Sequence, residues 1–384
     1  YTNDKQDNIS DATTSTRPPA LSTSSSSSSI RRRLAGGPAG VAWLMSFPNS
    51  GTTYTERLIE SVTQYTVATN YGHEHVDADG QPEHILTSIP VFEGGKNGPF
   101  RLSSKELPEG GYILTKTHCG GYCFSDCPPN WYILSTEQYL EECIRGARFE
   151  EREGGTTERF WVQYDPSFAK RAVHLFRDPF DNIVSRFHHE YKTHNNQKDN
   201  AWLDKYPNAP YGFRAWCRDS DERFKEREPV FFDEAMVKAF EGVPCHGEFF
   251  RWVQWHNNAF ELIRRLNIDD HVVHYMDYDT DFDKTVRGIL KFVDLDWVGD
   301  APPFKMLAYD DRYYSQEERE RIIEFMKFVA SERTWQEMSR YVNKSAEGPA
   351  DTQKSGEEVK ADILNDAISA TFPTPQESSQ EDQG

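Results

Sequence analysis

A short loop rich in hydroxyl side chains follows the first strongly apolar run of the chain. Its glycine lets a ligand approach the backbone closely, and the first turn of a following helix leaves several N–H groups without intrahelical partners. Such a helix start attracts phosphate, and the hydroxyl side chains add further donors. The loop therefore predicts a phosphate-binding turn, with an ordinary Ser/Thr-capped turn as the alternative. Its residues are Pro48, Asn49, Ser50, Gly51, Thr52, Thr53 and Tyr54.

This loop differs from the loop of ATPases and common kinases. The first glycine of the pattern G-x-x-x-x-G-K-[ST] is absent, and Thr52 stands where that pattern requires a phosphate-binding lysine. The sequence therefore disfavours a standard kinase.

A second polar motif begins at Arg177, directly after another apolar run. Asp178 suits the N-cap of a helix, and Pro179 suits its first position. The planar guanidinium of Arg177 and the hydroxyl of Ser185, two helical turns later, can converge on one further phosphate. The alternative is an ion pair between Arg177 and Asp178 or Asp181.

Four short apolar runs predict the buried strands of a parallel sheet, at residues 41–45, 112–115, 172–176 and 271–275. Segments with apolar residues at helical spacing separate or follow these runs. The alternation indicates βαβ units. We therefore expect an α/β fold with a P-loop-type parallel β-sheet flanked by helices, in a single domain with disordered termini, and both polar motifs then lie at strand ends.

Other segments predict the surroundings of this sheet. Ser315 and Glu318 form a capping box before an apolar stripe, which predicts the helix that closes the fold. Two stretches, 76–110 and 193–229, are expected to be irregular inserts that act as lids or substrate walls. The second insert holds aromatic side chains that form either a satellite core or a sugar-stacking platform. These are Trp202, Tyr206, Tyr211, Phe213 and Trp216.

Composition separates an ordered middle from two polar ends. Residues 1–40 are rich in Ser and Thr and 344–384 are acidic, so we expect a disordered stem, a domain over 41–343 and a disordered tail. The formal net charge of −19 argues against a nucleic-acid partner, so local cations and backbone amides must hold any anionic ligand.

No apolar run approaches the length of a membrane span, and the mean hydropathy is −0.76, so we expect no membrane contact by this chain. The chain begins at Tyr1, which leaves room for an upstream signal peptide or anchor. Six cysteines and two glycosylation sequons, at Asn8 and Asn343, favour the secretory pathway or Golgi lumen over the cytoplasm. The alternative is a cytoplasmic protein.

Three of the cysteines, Cys119, Cys123 and Cys127, are spaced four residues apart. The spacing superficially resembles a metal site. Ligand pairs of the zinc type are not apparent, however, so disulfides or free thiols are the expected states.

The two polar motifs together resemble the donor-binding motifs of sulfotransferases that use 3'-phosphoadenosine 5'-phosphosulfate (PAPS). Residues 48–54 match P-[KR]-S-G-T-T-[WY] except at Asn49, and residues 177–185 match R-[DN]-P-x-D-x-x-x-S. The resemblance extends over residues 41–296, although the R-K-G motif of cytosolic members is missing. It implies that residues 48–54, with Arg177 and Ser185, bind PAPS as co-substrate.

Two shorter segments extend the resemblance. Lys116 and His118 belong to a segment similar to the family's K-[TS]-H, and residues 275–278 are similar to its Y-E-D-L unit. The resemblance implies that His118 is the catalytic base and that Lys116 stabilises charge on the leaving phosphate. Glu74 or Glu56 is the alternative base.

The implied reaction moves a sulfuryl group by in-line displacement to a hydroxyl or amine, and it requires no metal. The acceptor is expected to be a small molecule or a glycan. Asn49 replaces the Lys or Arg that the family places beside the transferring group, and Lys116 or Arg57 can supply that charge. An inactive donor-binding module and an atypical P-loop kinase are therefore the alternatives.

Overall fold

The structure is a computed structural model that describes residues 40–71, 88–92, 107–108, 110–121, 132–152, 157–309 and 312–342. All of these residues belong to one compact unit that begins at Pro38. The predicted stem up to residue 39, the predicted tail, and the predicted residues Glu74, Cys123 and Cys127 lie outside the described residues.

The centre of this unit is a parallel sheet, as the apolar runs predict, and among the described residues it has six strands rather than the four predicted. The strands lie in the order β3-β2-β4-β1-β7-β8, and every neighbouring pair is parallel. The four predicted runs correspond to β1, β4, β7 and β8. The strands are β1 (Gly40–Ser46), β2 (Ala68–Thr69), β3 (Ile89–Pro90), β4 (Tyr112–Thr117), β7 (Ala169–Phe176) and β8 (Asp269–His274).

Two further strands form a separate antiparallel hairpin, β5 (Arg145–Glu151) with β6 (Thr157–Gln163). The helices are α1 (Thr52–Thr63), α2 (Thr136–Cys143), α3 (Pro179–Gln197), α4 (Asn200–Lys205), α5 (Pro210–Lys225), α6 (Glu228–Phe231), α7 (Glu234–Phe240), α8 (His246–Leu266), α9 (Asp277–Thr280), α10 (Phe282–Phe292), α11 (Gln316–Val329) and α12 (Glu332–Val342).

Helices cover both faces of the sheet, which explains why its strands are apolar on both sides. Alternate residues of a strand point to opposite faces, so Leu44 of β1 joins a core with α1 and α10, whereas Trp43 joins the larger core with α3 and α8. Both side chains are fully buried. Polar chemistry is therefore confined to the ends of these strands.

The capping box at the start of α11 is confirmed. The Ser315 hydroxyl accepts a hydrogen bond from the Glu318 amide, and the Glu318 carboxylate accepts one from the Ser315 amide. The expectation that this helix closes the fold is wrong, because α12 follows it. The Tyr341 hydroxyl of α12 lies 2.8 Å from the imidazole of His274 and donates to the carbonyl of Phe176, so α12 packs over the ends of two strands.

The expectation of an irregular insert over 193–229 is also wrong, because most of that stretch is helical. Its short helices begin at local signals: Asp199 caps α4, and Pro210 occupies the first position of α5. The core interpretation of its aromatic residues holds for Tyr206, Phe213 and Trp216, which are buried and join the larger core. The remaining member at the start of α5, Tyr211, is 67% exposed.

The larger core contains a buried pair of histidines. His174 of β7 and His256 of α8 are fully buried, and their ring nitrogens lie 2.8 Å apart. Burial, with a smaller contribution from nearby His274, lowers the pKa of His174 to about 3. Burial likewise lowers the pKa of His256 well below 6.5. Both rings are therefore neutral in the folded protein and take up protons when it unfolds at acidic pH.

This pair predicts a loss of stability in acid. Because the folded pKa of His174 is lower than the unfolded pKa, the free energy of unfolding falls as the pH drops from about 6.5 towards 3. Each proton taken up contributes a slope of about 1.4 kcal/mol per pH unit. In urea unfolding across this range, His174→Gln should show a shallower slope than the unchanged chain. His194→Gln, at a half-buried position on α3, is the control, and equal slopes for His174→Gln and the unchanged chain would contradict the assignment.

Candidate functional site

Because β1, β4, β7 and β8 are parallel, their carboxyl ends lie at one edge of the sheet. The segments that leave this edge carry all of the residues predicted from the two motifs. In open parallel sheets, ligands bind in the crevice outside this edge. The tertiary structure therefore brings the predicted residues to a place where a nucleotide can bind.

The loop after β1 leads directly into the start of α1. Asn49 and Gly51 both have left-handed backbone conformations, with φ of 67° and 92°. No side chain within the described part of the protein caps the start of α1, so the amides of Thr52 and Thr53 remain available at the positive end of the helix. Such an arrangement of N–H groups suits an anion.

Gly51 is required at its position for two reasons, its left-handed backbone and its close approach to a neighbouring ring. A Cβ atom built on Gly51 would lie 2.4 Å from the ring of Tyr275, the first residue after β8. The Tyr275 ring also carries the guanidinium of Arg177 at 4.8 Å. The glycine thus allows the loop to approach the aromatic ring that supports the second motif.

Arg177 is the residue that joins the two motifs. It is buried, and it donates to the carbonyl of Asn49 at 2.7 Å and to the hydroxyl of Ser185 at 3.2 Å. A further N–H group donates to the carbonyl of Leu307 at 2.9 Å. The predicted convergence of Arg177 and Ser185 is therefore present in the structure, and it lies against the loop after β1.

Asn182 provides a second link between α3 and the loop. Its amide group donates to the carbonyl of Pro48 at 3.0 Å and to the hydroxyl of Ser50 at 3.1 Å. The sequence analysis missed this residue, although it lies inside the 177–185 motif and shares a helix face with Ser185. Asp178 caps the same helix through the Phe180 amide, as predicted.

The imidazole of His118 lies at the end of β4 beside the end of β1. Its Nδ1 is 2.7 Å from the carbonyl oxygen of Ser46. A carbonyl oxygen only accepts, so Nδ1 carries the proton of the neutral ring and Nε2 keeps the lone pair that can accept another. The Tyr71 ring stacks on the imidazole at 5.7 Å, and the Tyr71 hydroxyl accepts from the His118 amide at 2.6 Å.

The pKa of His118 departs from the ordinary value for a histidine. Burial lowers this pKa well below 6.5, and the neighbouring Lys116 and Arg186 lower it further, against a smaller opposing effect of the Ser46 carbonyl. His118 is therefore neutral at physiological pH. It can accept a proton in a transient step, but it is a weaker base than a solvated histidine.

Lys116 points towards α1, on the face of the sheet that packs against that helix. Its ammonium group lies 3.6 Å from the carboxylate of Glu56, and both side chains are buried. Glu56, one of the alternative bases, is thus an ion-pair partner of Lys116. Arg57, the other candidate source of positive charge, is exposed on α1.

The ring of Tyr54, the last residue of the first motif, serves packing. It lies edge-on to Tyr278 and Phe304, and its hydroxyl donates to the carbonyl of Pro302 at 3.1 Å. Thr52, by contrast, is buried with its hydroxyl 2.6 Å from that of Ser46. These two residues therefore fix the start of α1.

Trp255 of α8 also supports the site, and the sequence analysis missed it. Its indole N–H donates to the carbonyl of His118 at 2.6 Å, and its ring lies edge-on to Phe47 at 6.2 Å. The guanidinium of Arg186 lies over Phe47 at 4.9 Å and donates to Glu248 at 2.8 Å. Long-range contacts of this kind have no local sequence pattern.

A disulfide holds the turn that follows His118. Cys119, which has a left-handed φ of 44°, is bonded to Cys143 at the end of α2. A second disulfide joins Cys217 to Cys245. The two disulfides indicate an oxidising compartment, either extracellular or luminal. In the part of the chain that the structure describes, no helix is long and apolar enough to span a bilayer.

No protein-family model matches this chain, and no curated protein was found to resemble it in sequence. Among the described residues, no group of three His, Cys, Asp or Glu side chains is placed to hold a metal ion. The parallel α/β fold itself is consistent with nucleotide-binding domains.

The contact between Gly51 and Tyr275 predicts a position-specific cost for an added methyl group. Gly51→Ala combines a left-handed conformation, which costs about 1–2 kcal/mol, with a clash against a buried ring, which costs about 1–3 kcal/mol more. Gly110, with φ of 80° and no neighbour within 4 Å of a built Cβ, is a matched control. In urea unfolding, Gly51→Ala should lose at least about 1 kcal/mol more than Gly110→Ala. Equal losses of unfolding free energy in the two variants would show that the Tyr275 ring moves aside at little cost.

Proposed function

We propose that this protein is a sulfotransferase that moves a sulfuryl group from PAPS to a hydroxyl or amine acceptor. The observation that carries the proposal is the contact of Arg177 with both the Asn49 carbonyl and the Ser185 hydroxyl. This contact combines the two motifs that resemble donor-binding motifs into one site beside His118. Neither motif alone would support so specific a function.

In this proposal the donor is held by an amide cradle and a cation. The left-handed loop and the uncapped start of α1 fit the 5'-phosphosulfate group. Arg177 and Ser185 fit the 3'-phosphate, because a guanidinium and a hydroxyl can donate to two of its oxygens. These local donors suit an anionic ligand of a protein whose net charge is −19.

His118 is placed to receive the acceptor's proton. With its Nδ1 proton directed to Ser46, Nε2 is the atom that accepts. The sulfur–oxygen bond to the acceptor forms as the bond to the donor's phosphate oxygen breaks, and the negative charge develops on that leaving phosphate. Loop amides, and Lys116 if it leaves Glu56, would stabilise this charge.

A second candidate function is donor binding without catalysis. It is favoured by two observations: Asn49 stands where the resembled motif carries a cation, and Lys116 is engaged by Glu56. A module of this kind would bind the donor or its product and transfer nothing. It differs from the enzyme in turnover and not in affinity.

Release of 3',5'-bisphosphoadenosine from PAPS, measured with a panel of sugars, phenols, sterols and tyrosine peptides, tests the proposal. Thermal unfolding with the bisphosphate tests the donor binding that both candidates share. Each predicts about 2.7 kcal/mol of stabilisation at 100 times the dissociation constant, so the absence of stabilisation would contradict both. Binding without turnover would leave the donor-binding module. Stabilisation by ATP with magnesium, and not by the bisphosphate, would instead support a kinase.

Substitutions at His118 and Arg177 should separate chemistry from binding. His118→Ala should lower kcat by roughly 10²- to 10⁴-fold while donor affinity changes little. Arg177→Ala should weaken bisphosphate binding by at least about tenfold, and Arg177→Lys should recover part of it. Titration calorimetry and initial rates measure the two effects, with His194→Ala as a control. Equal loss of binding in both alanine variants would contradict these roles.

The buried position of His118 also predicts the pH dependence of the rate. Its pKa is lowered below 6.5, so the neutral form persists as the pH falls through that value. We therefore expect kcat at saturating substrate to show no loss from protonation of this ring as the pH falls through 6.5. An acidic limb with a midpoint near 6.5 would show that the working histidine is solvated, and this would contradict the buried geometry.

A further inference from the structure

The β5–β6 hairpin presents a cationic aromatic cluster to solvent. Trp161 of β6 is 39% exposed, and the guanidinium carbons of Arg145 and Arg159 lie 4.9 and 5.0 Å from the centre of its ring. Arg159 precedes Trp161 by two residues, whereas Arg145 pairs with Gln163, two residues beyond it. The two guanidiniums therefore approach the indole from opposite sides along the strand.

This cluster is continuous with the candidate site through one ring. Tyr71 lies edge-on to Trp161, with ring centres 6.5 Å apart, and it stacks on His118 at 5.7 Å. An acceptor whose reacting group lies beside His118 can therefore place its neighbouring unit at the Trp161 cluster. The cluster lies on the acceptor's side of the proposed reaction, because Arg177 and the loop after β1 hold the donor.

The charges of the hairpin are unevenly compensated. Arg145 pairs with Glu142 at 3.0 Å, and Arg148 pairs with Glu150 at 2.8 Å. Arg159 is exposed, and within the described part of the chain no carboxylate lies at ion-pair distance from it. Arg159 is thus an exposed positive charge on a chain whose net charge is −19. Because the overall negative charge repels a densely charged anion, this cation suits a ligand with few negative charges.

The geometry of the cluster favours a carboxylate over an aromatic acceptor. Two guanidiniums already lie over the indole, 4.9 and 5.0 Å from its centre, so an aromatic acceptor would have to compete with them for the ring. Stacking instead fixes the planes of the two guanidiniums. The N–H groups of Arg159, and those of Arg145 that do not donate to Glu142, can then contact a ligand carboxylate. The ring of Trp161, which is 39% exposed, offers apolar surface to the apolar side of a sugar ring.

A saccharide fits this surface better than an acidic peptide. An extended peptide that paired with β6 would pass Glu158 and the neighbouring Glu150, where like charges repel it. A saccharide needs only the Trp161 end of the hairpin, and its rings keep a hydroxyl and a carboxylate at a fixed separation. Binding then costs less conformational entropy than ordering a flexible chain.

We propose that the Arg145–Trp161–Arg159 cluster recognises the acceptor, and that it selects a saccharide carrying a carboxylate near the hydroxyl that is modified. This proposal rests on the proposed function for the reaction itself. The cluster contributes to acceptor binding and does not take part in the transfer. Its loss should therefore raise KM for the acceptor and leave kcat and donor affinity nearly unchanged.

The test compares one unsulfated, uronate-containing oligosaccharide with the same compound after reduction of its carboxylates to alcohols. The unchanged chain should use the carboxylated compound with a kcat/KM at least about tenfold higher, as expected for a charge-assisted contact. Arg159→Gln and Arg145→Gln should each remove most of that preference through KM. Arg287→Gln is the matched control. Arg287 is an exposed arginine of α10, and its guanidinium lies over the ring of Trp297 at 5.0 Å.

Direct titration of the oligosaccharide, with bisphosphate present, makes the two proposals separable. Carboxylate-dependent binding that Arg159→Gln weakens would support the cluster even if no acceptor is turned over, in which case only the enzymatic proposal fails. Turnover with equal use of both saccharides, or faster turnover of an acidic peptide, would overturn the cluster while the enzymatic proposal stands. Absence of saccharide binding in the titration would also overturn it.

Discussion

The central strand β1 has hydrogen-bonded neighbours on both edges and helices on both faces, so its side chains have no access to water before the strand ends. A buried polar group needs a partner, which limits polar chemistry to the end of the strand. The chain leaves β1 at Ser46, and the loop of the first motif begins within two residues of it. The ends of β4 and β7 face the same limit, so their polar groups gather at the same place.

The polar groups at this edge are held by backbone carbonyls as much as by each other. Arg177 donates to two carbonyls and His118 to one, and Trp255 donates to the carbonyl of His118. Carbonyls of buried strand ends and loops have fixed positions, so they orient these side chains without adding charge. A site of this kind is preorganised before any ligand arrives, which is what transfer by positioning requires.

Electrostatics near the site differ from those of the whole chain. Lys116, Arg177 and Arg186 are buried within a protein of net charge −19. Glu56 and Glu248 hold two of these cations in ion pairs, and the attraction within each pair offsets part of the desolvation cost of burying it. Burial first, and then Lys116 and Arg186, lower the pKa of His118 and keep its ring neutral, so the local field and the placement of the imidazole are linked.

The sequence by itself determined the α/β fold, the strands β1, β4, β7 and β8, and the two motifs at their ends, because apolar runs, caps and glycine-rich turns are local patterns. It also led to the right cap at Asp178. The sequence did not predict the helices within 193–229, because short amphipathic helices form stably only when a core covers their apolar faces.

Tertiary structure alone decided the rest of the site. The Tyr71 stack on His118, the ion pair of Lys116 and the indole of Trp161 all depend on contacts between segments far apart in the chain, and burial, which sets the pKa of His118, exists only once those segments have packed.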